Sequence, residues 1–94
     1  MTILEIEHPV HDYDHWKAVF DADPTHRKQS GMRRYRIARL VDNPSYVVVL
    51  TEFDSSRQAE DFLARMRQAW TLAVGNVIES PRARIADVVE QKEY

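Results

Sequence analysis

The chain has 94 residues, of which 44% are hydrophobic and 30% charged, with a net charge of −2 and no cysteine. This length suffices for one domain, expected to span residues 1–94, and the hydrophobic content is too high for a disordered chain. The composition excludes disulfides, thiolate metal sites and thiol nucleophiles, and the absence of net basic charge argues against nucleic-acid binding.

The first residues lack the basic segment and the long apolar segment that define a signal peptide. No apolar run approaches the length that spans a bilayer. We therefore expect a cytoplasmic protein that has no membrane partner.

The chain begins with a predicted strand from Thr2 to Val10, where apolar residues and glutamates alternate. Asp12 then provides an N-cap, and aromatic residues at helical spacing follow it. Pro24 is expected to end this first helix near Ala22, because the residue before a proline rarely stays helical.

The chain continues with a predicted β-hairpin. Its strands are expected from Met32 to Val41 and from Tyr46 to Phe53, joined by a turn over residues 42–45. A second helix with an apolar stripe follows, and serines before it offer caps. A last strand is predicted from Arg82 to Gln91.

The third strand is apolar on both faces. One face carries Tyr46, Val48 and Leu50, and the other carries Val47, Val49 and Phe53. The order β-α-β-β-α-β predicts an α+β, ferredoxin-like fold with two helices on one face of an antiparallel sheet. A chain this small has no second layer for the other face, so we predict a homodimeric α+β barrel in which two sheets pack back to back.

A set of residues spread over nearly the whole chain forms a recognisable pattern. It comprises Asp12-Tyr13-Asp14, Trp16-Lys17, Phe20-Asp21, Arg27, Gly31, Arg39, Asp42-Asn43-Pro44 and Glu52-Phe53-Asp54. This pattern resembles that of small proteins in the dimeric α+β barrel superfamily, near the antibiotic-biosynthesis monooxygenases and the small polyketide-cyclase-like proteins.

The resemblance implies a homodimer with a pocket in each protomer, between the sheet and its helices. Members of the superfamily include cofactor-free monooxygenases of aromatic polyketides and polyketide cyclases. The resemblance therefore implies a small enzyme or ligand-binding protein that acts on an aromatic, polyketide-like molecule with no bound cofactor. The alternative is a non-catalytic dimeric binding or interaction module.

The candidate catalytic residues are His8, Tyr35 and Arg39. By strand alternation, His8 projects either into the protomer pocket or into the dimer interface. It acts either as a general base or as a hydrogen-bonded structural histidine. Tyr35 and Arg39 share a strand face and would stabilise the resulting anion. The alternative for Arg39 is a structural ion pair with Glu52 or Asp87.

The candidate substrate-binding residues are the aromatic side chains Trp16, Trp70, Tyr13 and Phe62. On the inner faces of the helices they would form a stacking wall for a flat ligand. The alternative is ordinary core packing, which would fill the space and leave no cavity.

Three histidines, His8, His11 and His15, lie close together in the sequence. They could form a metal site or an acid–base pair, or they could face solvent from a loop. Their spacing matches no ligand signature, so we expect no metal site.

Overall fold

The fold is a four-stranded antiparallel sheet with two helices on one face, in a computed structural model that describes all 94 residues. The elements in chain order are β1 (Thr2–Pro9), α1 (Tyr13–Asp21), β2 (Arg34–Leu40), β3 (Asn43–Phe53), α2 (Ser56–Ala73) and β4 (Arg82–Asp87). The strands lie in the order β2-β3-β1-β4. This arrangement confirms the predicted ferredoxin-like fold.

The hairpin turn is tighter than predicted. Only Val41 and Asp42 form it, and β3 already begins at Asn43. The cause is a register shift between Arg39 and Leu40, which lets Leu40 pair with Asn43. β2 is also shorter than predicted at both ends, and β4 ends at Asp87 instead of Gln91.

Side-chain caps begin both helices. The Asp12 carboxylate accepts hydrogen bonds from the backbone N–H groups of Asp14 and His15, at 2.9 and 3.3 Å. Ser55 and Gln58 form a reciprocal capping box at the start of α2. The predicted caps are therefore confirmed. Neither helix combines the length and the apolar character that crossing a membrane requires.

The core lies between the sheet and the helices. Leu4 and Ile6 of β1 and Val47, Val49 and Phe53 of β3 are all buried there. These residues share one face because side chains alternate along a strand and paired residues point the same way. That face is also the one on which His8 lies.

The outer face of the sheet has no covering layer within the protomer. Tyr46, Val48 and Leu50 lie on it and are half-buried. Ion pairs border this apolar row. In one of them, Arg84 Nη2 lies 2.7 Å from Glu5 Oε1. The outer face thus keeps the apolar strip that the two-sided pattern of the third strand predicts.

Candidate functional site

A cavity of about 320 Å³ lies between the sheet and the two helices. Of the 19 residues that line it, 14 are hydrophobic. Small-molecule sites range from about 300 to 1,000 Å³, so this cavity suits a small ligand. The large aromatic side chains therefore leave the space open instead of filling it.

Three of the four predicted substrate-binding residues line the cavity. Trp16 and Phe62 are buried in its wall, and Trp70 is half-buried there. Tyr13 does not line it and packs behind Trp16, with ring centroids 5.7 Å apart. Contact of these rings with a substrate stays a prediction.

His8 lies in the cavity wall and is 2% exposed. Of the two positions that the sequence left open, it takes the one inside the protomer. Its ring meets Trp16 edge-on, with centroids 5.8 Å apart. Its Nδ1 lies 3.1 Å from the carbonyl oxygen of Pro9. A carbonyl oxygen only accepts, so Nδ1 carries the proton that is donated.

The second ring nitrogen of His8 is the one available for chemistry. Nε2 makes no hydrogen bond within the protein. Every fully buried side-chain nitrogen or oxygen does have a partner, so Nε2 is not fully buried and keeps some accessible surface. Burial lowers the pKa of His8 from its ordinary value of 6.5, because the charged imidazolium loses its water. At neutral pH, His8 is therefore uncharged, with a free lone pair on Nε2.

Arg27 is the other ionisable residue in the cavity wall, and sequence reasoning assigned it no chemistry. Its guanidinium carbon lies 4.0 Å from the ring centroid of Phe20 and 5.2 Å from that of Tyr35. Nη1 donates to the carbonyl oxygen of Phe20 at 2.7 Å, and Nε lies 3.5 Å from Asp23 Oδ1. The only sequence signal for Arg27 is its place in the superfamily-like pattern.

Two buried threonines complete the polar part of the wall. Thr51 uses its hydroxyl to donate to the carbonyl oxygen of Leu4 at 2.9 Å. The Thr25 hydroxyl makes no hydrogen bond within the protein, although Thr25 is only 6% exposed and lines the cavity. Because every fully buried side-chain oxygen has a hydrogen-bond partner, the unbonded Thr25 hydroxyl retains some accessible surface.

Arg39 and Tyr35 share the helix-facing side of β2 with Val47 and Thr51 of β3, as the alternation predicts, but neither lines the cavity. Tyr35 is 41% exposed. The Arg39 side chain is exposed, and its guanidinium carbon lies 4.2 Å from the Tyr13 ring centroid. The structure thus brings His8 together with neither of its predicted catalytic partners.

Within the protomer, Arg39 forms neither of the ion pairs that the sequence suggested, with Glu52 or with Asp87. Its Nε donates to the carbonyl oxygen of Pro44 at 2.8 Å. Glu52 lies on the outer face of the sheet and pairs there with Arg34 at 3.1 Å. Asp87 accepts a hydrogen bond from the Thr2 hydroxyl at 2.7 Å.

The three clustered histidines have separate environments. His11 Nε2 lies 2.7 Å from Glu79 Oε2, which ties the start of α1 to the loop after α2. His15 is exposed on α1, whereas His8 is buried. The structure groups no three histidine, aspartate or glutamate side chains in a way that could hold a metal ion.

Comparison with known proteins shows which solved structures have a similar fold. No protein-family model matches the chain, and no curated protein matches it. Three solved structures illustrate the similarity. A variant of SnoaB, a cofactor-independent oxygenase from Streptomyces nogalater, has a TM-score of 0.76 at 14% identity, over 96% of this chain and 94% of its own. A Deinococcus radiodurans protein, proposed to be an antibiotic biosynthesis monooxygenase, has a TM-score of 0.74 at 13% identity, over 100% and 98%.

The third structure is a dimeric ferredoxin-like protein from an uncultured marine organism. It has a TM-score of 0.66 at 7% identity, over 100% of both chains. These similarities extend over nearly the full length of each chain. They confirm, at the level of the fold, the resemblance that the sequence pattern predicts: the chain has the ferredoxin-like fold of the antibiotic biosynthesis monooxygenase-like proteins.

Proposed function

We propose that the protein is a small, cofactor-independent enzyme that binds a phenolic or enolic aromatic molecule in its cavity and removes a proton from it. The observation that carries the proposal is the buried His8 in the wall of an otherwise apolar cavity, with Nδ1 hydrogen-bonded to the backbone and Nε2 unbonded. The fold is similar to that of a cofactor-independent oxygenase, and by analogy of fold this supports a reaction without a cofactor.

His8 has the properties of a general base. The carbonyl of Pro9 fixes the proton on Nδ1, so the lone pair of Nε2 is free to accept the hydroxyl proton of the substrate. Proton transfer produces an imidazolium and a phenolate side by side. In a cavity with few polar groups, the attraction between these opposite charges is stronger than it would be in water, and it offsets part of the cost of burying each charge.

In an oxygenase reaction the phenolate then reacts with molecular oxygen. A ring carbon ortho or para to the phenolate gives an electron pair to O₂, a carbon–oxygen bond forms, and the peroxide oxygen takes the proton back from His8. Loss of the ring C–H proton and of hydroxide releases water and leaves a quinone. One phenol and one O₂ thus yield one quinone and one water. A cyclase reaction would use the same proton removal, with the enolate carbon attacking a carbonyl of the same substrate.

We also propose that the protein is a homodimer joined through the outer face of the sheet. The half-buried row of Tyr46, Val48 and Leu50 supports this, because an apolar strip on a bare sheet needs a cover. A dimeric protein of the same fold supports it as well. The test is the mass of the native protein by light scattering or native mass spectrometry.

A ligand-binding module without catalysis is the second candidate. Its support is that Tyr35 and Arg39, the two predicted anion stabilisers, do not line the cavity. Such a module would bind a phenol without changing its state of protonation, which separates it from the enzyme.

The experiment is a titration of the purified protein with naphthol, followed by the absorbance of the naphtholate. Free naphthol stays protonated near neutral pH because a phenol has a pKa of about 10. We expect wild-type protein to shift part of the bound naphthol to naphtholate. His8→Asn should bind naphthol without ionising it, because the amide can replace Nδ1–H but not the base.

The exposed His15 provides the matched control, since His15→Asn also loses an imidazole and should leave naphthol ionisation unchanged. For a phenol that is turned over, oxygen consumption should fall about a hundredfold to ten-thousandfold in His8→Asn. Turnover that survives His8→Asn at the wild-type rate would rule out His8 as the base.

A further inference from the structure

The polar atoms of the cavity fall into two groups that lie at opposite ends of the sheet. His8 lies near the end of β1, where it pairs with Val47 in β3. Arg27 lies in the loop before β2, and Tyr35, over which its guanidinium sits, pairs with Thr51 further along β3. The rings of Trp16 and Phe20 lie between the two residues, with centroids 5.2 Å apart.

Arg27 has unused donors. Nη1 is bonded to the carbonyl oxygen of Phe20, and Nε faces Asp23, whereas Nη2 makes no hydrogen bond within the protein. Every fully buried side-chain nitrogen has a hydrogen-bond partner, so the unbonded Nη2 retains some accessible surface. The rings of Phe20 and Tyr35 hold the guanidinium in place, so these donors are fixed before any ligand arrives.

Thr25 supplies a second unused donor near Arg27. It lies two residues earlier in the same loop, lines the cavity and has a hydroxyl with no partner in the protein. The carbonyl of Thr25, by contrast, accepts a hydrogen bond from the Ser30 hydroxyl at 3.3 Å. A guanidinium and a hydroxyl with free hydrogens match a carboxylate, which only accepts hydrogen bonds and suits the planar fork of arginine.

The charge around Arg27 favours an anion as well. Arg27 also borders an open groove on the protein surface, which is lined by Lys28, Arg33 and Arg34 together with Asp23 and Asp54. Cations outnumber carboxylates in that groove, which attracts anions toward Arg27.

We infer that the ligand is an aromatic carboxylate, whose carboxylate group is held by Arg27 and Thr25 while its ionisable hydroxyl meets His8 at the other end of the cavity. The assignment of the His8 end rests on the proposed function, whereas the carboxylate subsite rests on Arg27 and Thr25 alone. The flat part of such a ligand lies along the aromatic wall between the two ends.

The test uses four probes with the wild-type protein, followed by isothermal titration calorimetry. The first is a hydroxynaphthoic acid whose carboxyl and hydroxyl groups lie at opposite ends of the fused rings. The others are its methyl ester, naphthol and naphthoic acid. A hydrogen-bonded charge pair contributes enough that the acid should bind about tenfold or more tightly than its ester. Equal affinity for acid and ester would overturn the inference.

Variants then locate the subsite. Arg27→Gln should bind acid and ester equally, Arg27→Lys should keep part of the preference, and Thr25→Val should lose part of it. Arg33→Gln is the matched control, because it removes one positive charge from the groove but none from the cavity wall. A preference that persists in Arg27→Gln, or that vanishes equally in Arg33→Gln, would refute a specific subsite.

Circular dichroism checks that each variant folds. Arg27→Gln loses a hydrogen bond to Phe20 and could unfold the loop, and in that case the wild-type probes and Thr25→Val decide. If naphthol is ionised by His8 but acid and ester bind equally, only the carboxylate inference falls. If the acid is preferred through Arg27 but no hydroxyl is ionised, only the proposed base falls. If no probe binds, both fall.

Discussion

Replacing Phe62 by alanine tests whether the cavity has rigid walls. Phe62 is fully buried, lines the cavity and packs on Phe53 with ring centroids 5.6 Å apart. Burying a phenylalanine side chain contributes about 1.5–3 kcal/mol. The space left by its removal raises the cost to about 3–5 kcal/mol, because the surrounding structure relaxes only in part.

The assay is chemical denaturation of wild type and variant at one protomer concentration, since a dimer would make the midpoint depend on concentration. Leu72 is the matched control on the same helix: it also lines the cavity, but it is 81% exposed. Leu72→Ala should change the free energy of unfolding by about 0.5 kcal/mol or less. If Phe62→Ala cost no more than Leu72→Ala, Phe62 would not belong to a rigid cavity wall.

Three further predictions concern the outer face, the first helix and the buried histidine. Val48→Lys should yield a monomer by light scattering, because it places a charge on the face assigned to the dimer contact, whereas Glu60→Lys on an exposed part of α2 should leave the mass unchanged. Asp12→Ala should lower the free energy of unfolding by about 0.5–2 kcal/mol through loss of the helix cap, and Asp12→Asn should restore most of it; a loss of turnover in Asp12→Asn would contradict a purely capping role. The pKa of His8 is lowered from 6.5 in the folded chain, so between the two pKa values the unfolded chain binds a proton at His8 and the folded chain does not. The free energy of unfolding should therefore fall as the pH drops below about 6.5 and level off below the folded-state pKa, and this part of the slope should disappear in His8→Asn but persist in His15→Asn.

The order of the elements and the position of the core could be predicted from the sequence. Strand alternation, helical spacing and the caps at Asp12 and Ser55 are local signals, and each survives in the structure. The exact turn of the hairpin could not be predicted. It depends on a register shift beside Arg39, and the polar residues 42–45 fit a turn and a strand end equally well.

The position of His8 was predicted only as a choice between two faces. Alternation shows that His8 sits with Leu4 and Ile6, but it does not reveal which face the helices cover. The structure resolves the choice, because Leu4, Ile6 and His8 are all buried under the helices. The tertiary arrangement therefore decided the environment of the best catalytic candidate.

Arg27 could not be placed from the sequence because its loop has no periodic pattern. Asp23 and His26 have φ angles of 55° and 53°, in the left-handed region that residues other than glycine seldom adopt. These two residues bend the loop back so that Arg27 reaches the carbonyl of Phe20. The side-chain position of Arg39 could not be predicted for another reason: its strand face was predicted, but its long side chain reaches the carbonyl oxygen of Pro44 near the start of β3.

The alternation of side chains also links the proposed dimer to the proposed chemistry. On β1, Leu4, Ile6 and His8 line the inner face, while Glu5 and Glu7 lie on the outer face, where Glu5 pairs with Arg84. A shift of β1 by one residue would move His8 to the outer face and the glutamates into the core, so one register serves both functions. Covering the outer face by a second protomer holds that register, because β1 and β3 then pack on both sides. The dimer contact would thus keep His8 buried, which in turn keeps it neutral and able to accept a proton.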